Sequence, residues 1–185
     1  MPPSPSSPPD VPDVPAVSDD PDADARALAS SLRLRILRLC LDESLTNREI
    51  ARRLDRNPAT VLHHVRTLVD RGFLVAGPVR RGARGSREVP YRATGRSWRM
   101  PPAPGRARVL VDTFLQEVAL VPDLDSSPMV RLGLRLDRQA YAELVRRVDA
   151  LVHEYADRAP DPDGTPYSLF FSLHEDVQRR ASDDG

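Results

Sequence analysis

The side chains best suited to contact a nucleic acid lie between residues 48 and 87. Arginine donates to phosphate oxygens and forms paired hydrogen bonds with guanine O6 and N7, and threonine and histidine exchange hydrogen bonds with base edges or phosphates. The candidates are Arg48, Arg52, Thr60, His63, Arg66, Thr67, Arg80, Arg81, Arg84 and Arg87. Together they predict a surface that binds double-stranded DNA.

Two short helices joined by a tight turn position the first six of these residues. Thr46 and Glu49 form a T-x-x-E capping box, which predicts a helix that runs to about Leu54. After a turn of three residues, Asn57 is an N-cap and Pro58 occupies the first helical position, so a second helix begins there. Gly72 ends this second helix.

The second helix has one apolar face and one slim, polar face. Val61, Val65, Leu68 and Val69 have the spacing of a buried helical stripe. The other face carries no carboxylate before Asp70, so it can lie against base edges in a major groove. The residues expected on that face are Thr60, His63, Arg66 and Thr67, and Arg66 has the geometry to contact a guanine with two hydrogen bonds.

Residues 73–79 and 87–93 are predicted to be two strands of a hairpin with the sequence RRGARGSR at its tip. A flexible cationic tip beside two such helices is typical of a wing that grips phosphates or enters a minor groove. Arg80, Arg81, Arg84 and Arg87 are the wing contacts, and Arg48 and Arg52 on the preceding helix add phosphate contacts.

The segments LTNREIARRL and NPATVLHHVRTLVDRGFLV, preceded by ALASSLRLRILRLCLDE, resemble the winged helix-turn-helix of ArsR-type bacterial transcription regulators. The resemblance covers about residues 26–99, and it is carried by LRIL, by the run from Thr60 to Leu68 and by Gly72 with Leu74. Leu62 departs from it, since the family often has serine there. The resemblance implies that the helix after the wing pairs with its copy in a homodimer, which suits a palindromic operator. A second interpretation, which does not exclude the first, is that this helix covers its own domain.

The charge distribution points to the same module. The whole chain has 27 basic and 27 acidic residues, but residues 26–99 alone carry a net charge of +11, against −6 for residues 1–25 and −5 for residues 100–185. A basic segment in a neutral protein is the electrostatic footprint of a DNA-binding domain.

The predicted fold is mostly α with a small β component: a winged helix-turn-helix, then a dimerisation helix and a C-terminal βαβ layer. Residues 1–24 form a disordered, acidic, proline-rich tail, residues 25–99 the DNA-binding domain and residues 100–125 a linker and helix. Residues 126–178 form the βαβ region, because alternating apolar residues in 129–136 and the run 167–174 flank a helix that Asp137 caps. Residues 179–185 are a tail.

The βαβ region is interpreted as a dimerisation module or as a sensing module for an unidentified small-molecule effector. No residue pattern indicates a cofactor, a metal site or catalysis. The adjacent His63 and His64 diverge on a helix and cannot chelate one ion, and Cys40 is expected to be a small core residue.

The chain has no apolar run long enough to span a membrane and no signal-peptide pattern, so a cytoplasmic location is expected. The leading hypothesis is a sequence-specific transcription regulator that binds a palindromic operator as a homodimer. The alternative is a winged-helix module for protein–protein contact without DNA binding.

Overall fold

A computed structural model of the protein describes residues 20–82, 85–101 and 103–180. The predicted terminal tails therefore fall mostly outside the described residues, and so does Arg84 of the wing tip. The helices are α1 (Pro21–Leu28), α2 (Ser31–Leu39), α3 (Asn47–Leu54), α4 (Pro58–Asp70), α5 (Arg106–Val118), α6 (Arg138–Ala156) and α7 (Val177–Arg180), with a 3-10 helix at Arg96–Arg99. The strands are β1 (Leu45–Thr46), β2 (Leu74–Ala76), β3 (Arg80–Arg81), β4 (Arg87–Glu88) and β5 (Pro90–Ala93). One unit ends at Leu120 and a second begins at Val121.

The predicted helix-turn-helix is confirmed, including its caps. The amide of Glu49 donates to Thr46 Oγ1 at 3.3 Å, and the amide of Thr46 donates to Glu49 Oε2 at 2.7 Å, so both halves of the capping box are formed. α3 ends at Leu54, and the C-cap residue Asp55 has a left-handed φ of 50°. Asn57 Oδ1 then accepts from the amide of Ala59 at 2.8 Å and starts α4.

The core of the first unit lies among α1 to α4 and the sheet. Ile36, Ile50, Val61, Val65 and Leu68 have no exposed surface, and they are the residues that the helical spacing turns inward. Cys40 lies in the same core, where burial raises the pKa of its thiol to about 12. The cysteine is therefore a small core residue, as expected.

The strands of the wing belong to two separate antiparallel sheets, where a single hairpin was predicted. β5 pairs with β1 on one side and with β2 on the other, whereas β3 and β4 form a separate two-stranded sheet. Pro78, which lies between β2 and β3, has no N–H to donate, so a continuous ladder is interrupted there. Gly77 still donates its amide to the Pro90 carbonyl at 2.8 Å, which continues the β2–β5 pairing by one residue.

The first domain begins earlier than predicted. Residues 20–24 were assigned to the disordered tail, but Asp20 caps α1 and Pro21 opens it. The reason is Asp24, which is 2% exposed and lies within 2.6 Å of guanidinium nitrogens of both Arg71 and Arg96. These partners, 47 and 72 residues away, hold α1 against the end of α4 and the 3-10 helix.

Helix α5 belongs to the first unit and packs against α2. Arg38 Nε of α2 lies 3.3 Å from Glu117 Oε1 of α5, and Thr113 is the buried residue of α5. Arg106 donates to the carbonyls of Ser97 and Met100 at 2.8 and 2.9 Å, and so fixes the proline-rich linker to the start of α5.

The predicted helix of the second unit is present, but the two predicted strands are not. Asp137 Oδ1 accepts from the amide of Ala140 at 2.8 Å and caps α6, as expected. Residues 129–136 and 167–174 are assigned to no strand and join no ladder among the described residues. The βαβ prediction is therefore wrong for the single chain. A strand needs a hydrogen-bonded neighbour, and the apolar side chains of these segments are exposed, with Val130 at 90% and Leu169 at 73%.

Candidate nucleic-acid interface

The outward face of α4 carries the side chains predicted to read bases. Thr60, His63 and Arg66 are exposed, whereas Val61 and Val65 of the same helix are fully buried. Thr67 differs from the expectation for a free contact residue, because it is half-buried and its Oγ1 donates to the His63 carbonyl at 3.1 Å. Leu62 is also half-buried. The face that α4 offers to a ligand is therefore slim, polar and free of acids up to Asp70.

The two adjacent histidines have different surroundings, as the helical phase predicted. Their rings meet edge to face with centroids 5.5 Å apart, His63 outward and His64 half-buried. His64 Nδ1 lies 3.4 Å from Arg33 Nη1. Burial, with Arg33 and His63 as further causes, lowers the pKa of His64, so its neutral form is favoured. His63 is the histidine that faces outward from this helix.

The wing adds a cationic surface. Arg80, Arg81 and Arg87 are exposed on β3 and β4, whose register sets Arg80 opposite Glu88 and Arg81 opposite Arg87. Gly82 donates its amide to the Ser86 carbonyl at 2.7 Å and closes the turn. Neighbouring arginines across a ladder repel one another. Their combined charge suits a polyanionic partner.

The predicted contact arginines divide into two groups. Arg80 Nη2 lies 2.8 Å from Glu49 Oε2, and Arg48 Nη1 lies 3.8 Å from Glu88 Oε1. Arg66, Arg81 and Arg87 form no ion pair within the described part of the chain. Arg52 is exposed on α3, and its charge helps to lower the pKa of Glu49, after the Thr46 hydrogen bonds and Arg80.

Residues that sequence reasoning missed lie behind this surface. Arg71 closes α4 and donates to Asp24, and Arg96 donates to both Asp24 and the Arg71 carbonyl. Arg96 also lies over the Phe73 ring, at 5.1 Å from its centroid. This cluster fixes the end of α4. Its members are separated in sequence and have no shared motif, so no local signal could have identified it.

The described residues contain no cluster of three or more histidine, cysteine or acidic side chains that could hold a metal ion. Among the same residues, no helix has the length and apolar character that a membrane span requires.

Comparison with known families supports this reading of the geometry. Residues 28–75 match the family model of a helix-turn-helix domain, a range that extends from the end of α1 into β2. No curated protein matches the chain. The matched range contains α3 and α4, and β2 to β5 follow them as a wing, so the N-terminal unit is a winged helix-turn-helix. Such a domain is typical of DNA-binding regulators.

Proposed function

We propose that the protein is a sequence-specific transcription regulator that binds a palindromic DNA operator as a homodimer, of the ArsR type that the sequence resembles. The observation that carries the proposal is the exposed, acid-free face of α4 beside an arginine-rich wing. A partner without phosphates would have no use for both features. A regulator of this kind works in the compartment that holds the DNA, so the proposal places the protein in the cytoplasm.

The two surfaces have different tasks in this proposal. Thr60, His63 and Arg66 approach base edges and supply sequence preference, with Thr67 behind them. The unpaired arginines Arg81 and Arg87, with Arg52 and Arg84, hold the phosphates and supply most of the affinity. Phosphate contacts release counterions, so binding must weaken as salt rises.

The homodimer follows from the shape of a palindromic operator, since each half-site needs its own copy of α4. Helix α5 has apolar side chains left for a partner after it has packed on α2. Leu110, Val111 and Leu115 are 40%, 36% and 55% exposed. The ArsR resemblance implies pairing through this helix. The second unit adds a dimerisation or effector-sensing surface.

Arg66→Ala tests the base readout. We expect a loss of about 1–3 kcal/mol at the cognate base pair only, because a bidentate contact to guanine is replaced by a methyl group. The measurement compares fluorescence anisotropy titrations on the operator and on operators substituted at single positions. Equal weakening on all sequences would assign Arg66 to the phosphates.

The test of the whole proposal is anisotropy on DNA fragments from upstream of the gene, at several salt concentrations and with unrelated DNA as competitor. A tight complex that resists competitor and weakens steeply with salt is the expected result, and a footprint then gives the half-site spacing. Failure to bind at low salt would overturn the proposal. The second candidate, a protein–protein module, would then come first, since exposed α5 and α6 side chains favour it.

A further inference from the structure

Four charged residues connect the wing to the helix-turn-helix. Arg48 and Glu49 are consecutive on α3, while Arg80 and Glu88 face each other across the β3–β4 ladder. The ion pairs cross: Arg80 pairs with Glu49 and Arg48 pairs with Glu88. Each element therefore contributes one arginine and one glutamate, and opposite charges meet at both contacts.

The Glu49 end of this arrangement is held firmly. Its Oε2 accepts from the Thr46 amide at 2.7 Å and from Thr46 Oγ1 at 2.8 Å. Arg80 Nη2 donates to both Glu49 oxygens, at 3.0 and 2.8 Å. The hydrogen bonds of the helix cap therefore fix the position of the Glu49 carboxylate, and an arginine of the wing that binds this carboxylate takes a defined position.

The Glu88 end depends on the hairpin. The Glu88 side chain folds over Gly82, where a Cβ would lie 2.7 Å from Glu88 Cγ. It is 20% exposed, against 71% for Arg48. In this ion pair the Glu88 side chain is therefore held in place by the hairpin, and the more exposed Arg48 side chain extends to it from α3.

Strands β3 and β4 form the outer part of the wing. They share no ladder with the three-stranded sheet, and Pro78 separates β2 from β3. We propose that Arg48, Glu49, Arg80 and Glu88 form a brace that sets the wing relative to α4. Arg80 is then a positioning residue, and the unpaired Arg81 is a phosphate contact. The inference rests on the proposed DNA binding and refines the role of the wing.

A simpler account makes the opposite prediction. If Glu49 merely competes with DNA for Arg80, Glu49→Gln frees a cation and removes an acid, so it strengthens DNA binding. If the four residues form a brace, the same change releases the wing and weakens operator binding. Glutamine keeps a carbonyl oxygen for the Thr46 cap, so this substitution changes the charge with little change of shape.

The first measurement needs no DNA. Nitrogen-15 relaxation of the Gly82 and Gly85 amides in the full chain reports motion of the wing. We expect order parameters to fall from about 0.85 towards 0.6 in Glu49→Gln and in Arg80→Ala. The matched control is Glu154→Gln, which breaks an exposed ion pair within α6 of the second unit and leaves both amides unchanged. Unchanged order in Glu49→Gln would overturn the brace, whatever the protein binds.

The second measurement is anisotropy on the operator at several salt concentrations. We expect Glu49→Gln, Arg80→Ala and the double variant each to weaken binding about two- to fivefold, with no further loss in the double variant and an unchanged salt slope. Arg81→Ala should instead lower the slope by about one. Stronger binding by Glu49→Gln, or a slope change in Arg80→Ala, would overturn the brace. If the unaltered protein does not bind DNA, the proposed function is overturned, and the brace has no role in DNA binding. The relaxation data would still show whether the four residues restrict the motion of the wing.

Discussion

The two units of the chain are both rich in helix, but only the first has an interior. The buried apolar side chains of the described residues lie between Ala27 and Leu74, with Pro90 of β5 as a further one. In the second unit no described residue is buried, although α6 is the longest of the described helices at 19 residues. Apolar side chains of α6 such as Leu151 and Tyr155 are more than half exposed.

The difference shows which kinds of structure local sequence can specify. Helix α6 has its own cap at Asp137 and ion pairs one turn apart, such as Glu154–Arg158 at 2.6 Å. These interactions lie within the helix and need no partner. The flanking segments have the alternation of strands, but a strand satisfies its backbone through a neighbour, and residues 121–180 form none.

Asp24→Ala is expected to have the largest effect on the first unit. The substitution leaves Arg71 and Arg96 partly buried without their carboxylate, which should cost about 3–5 kcal/mol. Urea unfolding followed by the fluorescence of Trp98, the one tryptophan of the chain, measures the loss. Asp22→Ala, on the exposed side of the same helix, is the control, and a cost below about 1 kcal/mol for Asp24→Ala would contradict the role of the cluster.

Leucine truncation compares the two units directly. Leu68→Ala removes a fully buried side chain and should cost about 2–5 kcal/mol, whereas Leu151→Ala, at a site 53% exposed, should cost no more than about 0.5 kcal/mol. Chemical denaturation of both variants at low protein concentration provides the values. A large loss for Leu151→Ala would mean that another surface covers it, and a concentration-dependent loss would identify that surface as a second copy.

The helix caps offer a smaller comparison. Thr46→Ala removes the capping box of α3 and should lower the stability of the first unit by about 1 kcal/mol. Asp137→Ala should reduce the helical content of α6 and leave the Trp98 transition in place, because α6 lies in the other unit. Far-ultraviolet circular dichroism and Trp98 fluorescence separate the two effects. A Trp98 transition that shifts in Asp137→Ala would show that the units unfold together.

The smallest expected effect is a pH dependence within the first unit. The pKa of His64 is lowered, chiefly by burial and then by Arg33 and His63. Its stabilising contribution is therefore complete above the ordinary pKa of about 6.5 and is lost as pH falls through the lowered, folded-state value. Urea midpoints between about pH 7.5 and 5.5 should fall more steeply for the native chain than for His64→Gln. Parallel profiles would mean that His64 titrates alike in the folded and unfolded chain.

The sequence by itself determined the helix-turn-helix and its outward face. The caps at Thr46 and Asn57, the apolar spacing of Val61, Val65 and Leu68, and the stop at Gly72 all act within one or two helical turns. Local rules therefore sufficed to turn His63 outward and His64 inward. The helix at Asp137 was predictable for the same reason.

Tertiary structure alone decided the contacts between distant segments. Glu49 was recognisable as a cap, but its pairing with Arg80 needs the wing to fold back onto α3. The sequence pattern assigned Asp24 to an acidic tail, whereas in the folded chain its carboxylate pairs with Arg71 and Arg96. A helix forms its hydrogen bonds between residues a few positions apart, so sequence patterns can specify it. An ion pair or a strand needs a partner from a distant part of the chain, and only the tertiary structure decides which partner that is.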